Sequence, residues 1–164
     1  TFFYFFLVQN LETSAISSPY FNTFIAAQVH GSDRSLLSNS AKVADLLSAG
    51  DVHHIFPKEF LKKNGIDDKS MYNQVANYAY LDTGVNISIG KQAPQDYFTA
   101  ALNQCATKEL KVGTITENAA LRDNLTVNCI PSDIFTMTAA DYEKFLKERR
   151  ILMAKKIKEY YNSL

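Results

Sequence analysis

Two histidines stand side by side at positions 53 and 54, preceded by Asp51-Val52 and followed by Ile55-Phe56-Pro57, and this segment constrains the fold more than any other. It is short and partly β-branched, and proline cannot donate to a sheet ladder, so Asp51 to Phe56 reads as a strand that Pro57 ends. Consecutive strand residues point to opposite faces. If both imidazoles serve one site, the strand must end or twist at the pair. A partner lies at Tyr78-Ala-Tyr-Leu81, where an aromatic recurs at every second residue, predicting a second strand that closes an antiparallel hairpin. The Asp82-Thr83-Gly84 turn then releases the chain into a helix that starts at Asn86, and Asn86 approaches the histidines from a third side.

The remainder reads mainly as helix. The run Phe2-Phe3-Tyr4-Phe5-Phe6-Leu7-Val8 is too uniformly apolar for a surface element and predicts a buried helix or strand, with a Ser- and Pro-containing loop at 13–19. Phe21, Phe24, Ile25 and Gln28 recur at helical spacing, and a second amphipathic helix is expected from Asn39 to Ser48, stopped by Gly50. Helix is expected over Glu59–Lys63 with Gly65 as terminator, exposed turn over 67–70, and helix again from Pro94 to Ala106. Residues 111–136 show no clean period and are assigned to loops and short helices. Tyr142, Phe145, Leu146, Leu152, Met153, Ile157, Tyr160 and Leu164 form a 3.6-residue stripe preceded by Thr138 and Asp141 in a capping arrangement. The expected fold is α+β and mostly helical, with a hairpin-helix core (51–106) embedded among α-helices. Residues 1–50 would form a helical lead-in and 107–164 the loops and long C-terminal helix. A length of 164 residues suits a single core, and 46% apolar with 21% charged residues fits a globular chain better than a disordered one.

Seventeen basic and seventeen acidic residues cancel, so any polyanion partner needs a local patch. The strongest candidate in the sequence is the C-terminal stretch carrying Lys144, Lys147, Arg149, Arg150, Lys155, Lys156 and Lys158, against the plainer reading of a solvated helix face. Cys105 and Cys129 stand apart without a CxxC pair, which argues against a zinc ribbon or a disulfide scaffold and for buried, inert thiols in a reducing cytoplasm. The apolar N-terminal run is shorter than the roughly 20 residues of a spanning helix, so no membrane role is expected. The first residue is Thr1, which predicts a fragment of a larger protein.

The polar residues between 51 and 91 answer the needs of phosphodiester hydrolysis. An attacking water must lose a proton, and a neutral imidazole with a pKa near 6.5 suits that task, here His54. Negative charge gathers on the phosphate and the leaving oxygen, which a divalent cation stabilises; His53 and Asn86 offer an imidazole nitrogen and an amide oxygen to hold it. Asn77 on its own reads as a turn-capping asparagine. Asp51 divides between a metal ligand or support and a simple strand-start residue, and Lys58 and Lys91 between phosphate contacts and solvated lysines.

Asp51-Val-His-His-Ile-Phe-Pro57, Asn77-Tyr-Ala-Tyr-Leu-Asp82 and Asn86-Ile-Ser-Ile-Gly-Lys91 together resemble the HNH (ββα-metal) nuclease signature over about forty residues. The doubled histidine is similar to colicin-type DNase sites, and the Asn77 to Asn86 interval to the HNH domain of RNA-guided CRISPR nucleases. Carried over by position, the resemblance implies a catalytic pair of His54 (general base) and Asn77 (brace), with His53, Asn86 and Asp51 about a Mg²⁺ or Mn²⁺ ion, other divalent ions such as Zn²⁺ or Ni²⁺ serving in vitro. Asn73-Gln-Val-Ala-Asn77, Pro94-Gln-Asp-Tyr97-Phe98 and Phe145-Leu-Lys-Glu-Arg149-Arg150 with Tyr160-Tyr161 further resemble the C-terminal domain of modification-dependent type IV restriction endonucleases of prokaryotes. That likeness implies a DNA-cleaving phage-defence enzyme of the cytoplasm, acting on DNA with modified bases, whose N-terminal nucleotide-binding domain is missing from this fragment. Ile87-Ser88-Ile89 stands where many HNH proteins carry basic residues, which leaves the phosphate contacts open. The rival reading is an HNH-fold nucleic-acid-binding module that has lost turnover. A structural zinc site is disfavoured because such sites usually include cysteine and none lies in this region.

Overall fold

In a computed structural model, residues 2–48 and 52–164 are described, and they are mostly helical with one small antiparallel sheet. In chain order the elements are α1 (Phe2–Asn10), α2 (Pro19–His30), α3 (Val43–Leu46), β1 (Val52–His54), α4 (Lys58–Lys63), α5 (Lys69–Tyr72), β2 (Tyr78–Tyr80), α6 (Thr83–Ile89), α7 (Pro94–Thr107), α8 (Asn118–Val127) and α9 (Tyr142–Asn162). Among the described residues no helix is long and apolar enough to cross a membrane.

The longest helix, α9, packs on α1 and α2. Its Tyr142, Phe145, Leu146, Met153, Ala154 and Ile157 enter the core at the spacing of one helix face. From α2 come Phe21, Phe24, Ile25 and Gln28, again one face. That helix starts where expected, with Pro19 in its first turn and the Ser18 hydroxyl accepting the Phe21 N–H. Phe56, just past β1, sits against Phe145 with ring centroids 4.7 Å apart, fastening the sheet region to the helical body.

Several expectations are corrected. The N-terminal run is helix but only partly buried: Leu7 and Leu11 are enclosed while Phe3, Phe5 and Phe6 are 44%, 69% and 42% exposed. Two turns of one helix cannot bury consecutive aromatics when its main packing partner, α9, lies along one side of it. The helix expected over 39–48 contracts to Val43–Leu46, because the chain bends at Asn39 and Ser40 and Lys42, extended, pairs with Arg34 in a β-bridge; Gly50 lies outside the described residues. Asp68 is a helix cap, not a mid-turn residue: its carboxylate accepts the Ser70 N–H at 2.8 Å and starts α5. The indistinct stretch 111–136 contains the ten-residue α8. Its Asn124, read as a turn former, is a buried cross-link that accepts the Leu37 N–H and donates to the Ser35 carbonyl. At the C-terminus Leu164 is exposed, and Leu152 and Tyr160 are only half-buried. The Thr138–Asp141 capping box is real but opens a single 3₁₀ turn ahead of α9.

Candidate active site

The strands meet with Val52 opposite Tyr80, His53 opposite Ala79 and His54 opposite Tyr78. Alternation therefore puts His54 on the Tyr78 face and His53 on the Ala79 face. On the first face the His54 imidazole stands edge-on to Tyr78, centroids 5.4 Å apart at 90°, and 6.2 Å from the buried Tyr72 ring. The strand ends at His54, two residues earlier than expected. Ile55 donates its N–H to the Asn77 carbonyl at 2.8 Å, its own carbonyl accepts the Tyr97 hydroxyl, and the chain bends into α4 at Pro57.

Asn77 holds that bend. It is wholly buried, its Oδ1 accepting the Phe56 N–H at 2.8 Å and its Nδ2 donating to the Phe56 and Tyr72 carbonyls at 3.1 and 3.2 Å. One carboxamide thus satisfies the Phe56 N–H and carbonyl and, together with the Tyr142 hydroxyl, the Tyr72 carbonyl. Asn77→Ala leaves the Phe56 N–H and carbonyl without their partner, the Tyr72 carbonyl keeping the Tyr142 hydroxyl at 3.3 Å, and is expected to lower stability by about 2–4 kcal/mol; an unchanged urea midpoint would show that the bend does not need it.

His54 is half-buried, with its Nε2 2.9 Å from Asn73 Oδ1. An amide oxygen only accepts, so the neutral ring carries its proton on Nε2 and keeps the Nδ1 lone pair available. Desolvation lowers the His54 pKa below its ordinary 6.5; the Asn73 hydrogen bond opposes this and the Lys58 charge adds to the lowering. The folded protein therefore favours the neutral ring. The linked stability is fully present above the unfolded-state pKa of about 6.5 and is lost as pH falls through the lower folded value. NMR titration of metal-free protein should give a His54 pKa below 6.5, lower still in Asn73→Leu and higher in Lys58→Gln. A value above 6.5 in the wild type would contradict this electrostatic assignment.

The other candidate residues are placed as follows. His53 is half-buried opposite Ala79, itself 7% exposed, so that face of the sheet is covered as well. Asn86 is the fourth residue of α6 and not its start, because Asp82 caps the helix by accepting the Gly84 N–H and begins it at Thr83. The Asn86 carboxamide is half-buried and makes no hydrogen bond among the described residues. Asp51 lies outside the described residues. Lys58 opens α4 beside the site, its Nζ 5.5 Å from the Tyr72 centroid. Lys91 is exposed just beyond α6, past Gly90 at φ +53°. Among the described residues no three His, Cys, Asp or Glu side chains converge, and alternation along β1 turns the His53 and His54 side chains to opposite faces of the sheet. Both cysteines are buried and away from this region, and burial raises both thiol pKa values, that of Cys129 to about 11.

Two residues take roles in this region that the sequence did not assign to them. Asn73 orients His54, yet nothing in its spacing distinguishes it from neighbouring polar residues. Arg149, only 1% exposed, donates from Nη1 to the carbonyls of Ala76 and Tyr78 at 2.9 and 2.7 Å and from Nη2 to that of Asn128 at 3.2 Å. It clasps the two carbonyls flanking Asn77. Its signal was the periodicity itself: the stripe 142, 145, 146, 153, 157 runs through positions 149 and 150. The basic stretch of α9 is depleted accordingly, since Arg150 is also buried and donates to Gln74 Oε1.

Compared with protein-family models, with curated proteins and with solved structures, the chain matches none.

Proposed function

We propose that the chain is a metal-dependent endonuclease of HNH type that hydrolyses DNA phosphodiester bonds, working in prokaryotic cytoplasm as the cutting part of a restriction or phage-defence protein. The observation that carries this reading is the state of His54: a neutral-biased imidazole, fixed through Nε2 by Asn73, at the end of a strand whose bend Asn77 braces.

In the proposed reaction a water O–H proton passes to His54 Nδ1 as the water oxygen attacks phosphorus, and the opposite P–O bond breaks. Asn73 keeps the ring from rotating and stabilises the imidazolium that forms, since its oxygen accepts from Nε2 in both protonation states. Asn77 acts through the backbone of Phe56, keeping the histidine strand and the α4 bend in fixed relation. His53 and Asn86 are the proposed donors to a divalent ion such as Mg²⁺ or Mn²⁺, with Asp51 a further proposed ligand. When bound, such a cation neutralises charge gathering on the phosphate and leaving oxygen. Lys58 and Lys91 are proposed phosphate contacts.

Supercoiled plasmid tests the reading. Nicked circles should form with Mg²⁺ or Mn²⁺ and none with chelator. Plasmid left intact with every divalent ion, by protein that still retards DNA in a gel, would favour the binding-module reading.

A further inference from the structure

We propose that the nucleic-acid backbone docks along the Lys58–Lys62 face of α4, each ammonium taking a phosphate next to the one being cut, and that α9 is not the binding surface. This rests on the hydrolase reading and adds where the strand lies. The basic run of α9 is largely committed elsewhere. Arg149 and Arg150 are buried, Lys144 lies 2.9 Å from Asp133 and 3.7 Å from Glu148, and Lys156 lies 2.6 Å from Asp33.

On α4, residues 58 and 62 are four apart and share a face. Their ammonium groups lie 5.5 and 5.8 Å from one point, the Tyr72 ring centroid, and the His54 ring lies 6.2 Å from the same centroid. Tyr72 is 2% exposed, so it is a fixed floor on which both lysines and the imidazole rest. Ammonium groups of exposed lysines held over an aromatic ring are kept at a defined place, which lessens the ordering needed when an anion arrives. A nucleic-acid strand carries a charge for every ~3.4 Å of its axis, so two cations grouped this closely with His54 suit phosphates adjoining the scissile one. Nearby acids compete weakly. Glu59 reaches Lys62 only at 3.9 Å with both side chains exposed, and the Asp68 carboxylate is occupied by Ser70.

The test measures binding of a mixed-sequence DNA duplex to the whole chain by fluorescence anisotropy, in chelator, between 50 and 200 mM salt. For K58Q/K62Q the slope of log affinity against log salt should be shallower by about 1.8, so the wild type loses about twelvefold more affinity across that range. K155Q/K158Q removes two exposed charges from α9 and should keep the wild-type slope, and both variants should melt with the wild type. An unchanged slope in K58Q/K62Q, an equal fall in K155Q/K158Q, or no wild-type binding at 50 mM salt would overturn the proposal. The two readings fail separately. Protein that binds through α4 and never nicks plasmid refutes the hydrolase alone, whereas nicking with an α4-independent slope refutes the docking face alone.

Discussion

His54→Ala should reduce plasmid nicking about 10²–10⁴-fold while the protein stays folded. The loss is that of a general base: no other imidazole shares the Tyr72–Tyr78 face of the sheet, and the neighbouring His53 projects from the opposite one. The stability cost should be small. The ring is half-buried, and its hydrogen bond to Asn73 ends on a group that is itself only partly buried and can turn to water. His53 and Asn86 are untouched, so divalent ions should bind as before. Nicking rates and thermal melts of repurified wild type and variant check both halves; equal cleavage by the two proteins would remove His54 from the chemistry. Asn73→Leu should fall between them, because it keeps the base but frees its orientation.

Arg149→Leu is expected to destabilise the fold by about 3–5 kcal/mol, the usual cost of removing one partner from a buried charged network. Three carbonyls, of Ala76, Tyr78 and Asn128, lose their donor in a place water does not reach. Burial draws the Arg149 pKa down to about 10, so the guanidinium remains charged at neutral pH and its hydrogen bonds are the charge-assisted kind. In a chain of this size each kcal/mol moves the melting temperature by about 2–4 °C, so a drop of about 6–20 °C is expected. Arg149→Lys should recover part of it, since an ammonium can reach some of these carbonyls without the planar fork. A melt within 2 °C of wild type for Arg149→Leu would show that the clasp is dispensable.

The parts of this molecule legible in the sequence are those governed by local rules. The aromatic alternation at Tyr78–Tyr80, the Pro-led starts of α2 and α7 and the stripe of α9 each declare a period or a cap that needs no knowledge of the rest of the chain. What was hidden depends on partners distant in sequence. Asn124 looks like a turn former until Leu37 and Ser35 are brought to it across more than eighty residues. Arg149 and Arg150 look like solvent charges because charge ordinarily outweighs position, and only the carbonyls of residues 76 and 78 make a buried guanidinium tenable. Phe3, Phe5 and Phe6 fail in the opposite sense: hydrophobicity suggested burial, but one side of a short helix was all that α9 could cover. At the site, Asn77 was visible as a turn-capping carboxamide at a position of the HNH-like pattern, while Asn73 acquires its role only by standing 2.9 Å from a particular ring nitrogen.

On the proposed reading one divalent ion binds between His53 and Asn86, within reach of the phosphate that His54 helps to cleave. Crystals of the protein grown with Mn²⁺ and measured at a wavelength where manganese scatters anomalously test it directly. One anomalous peak about 2 Å from a His53 ring nitrogen and from the Asn86 amide oxygen is predicted. Manganese bound elsewhere, or those two side chains directed away from each other in the presence of the ion, would contradict it.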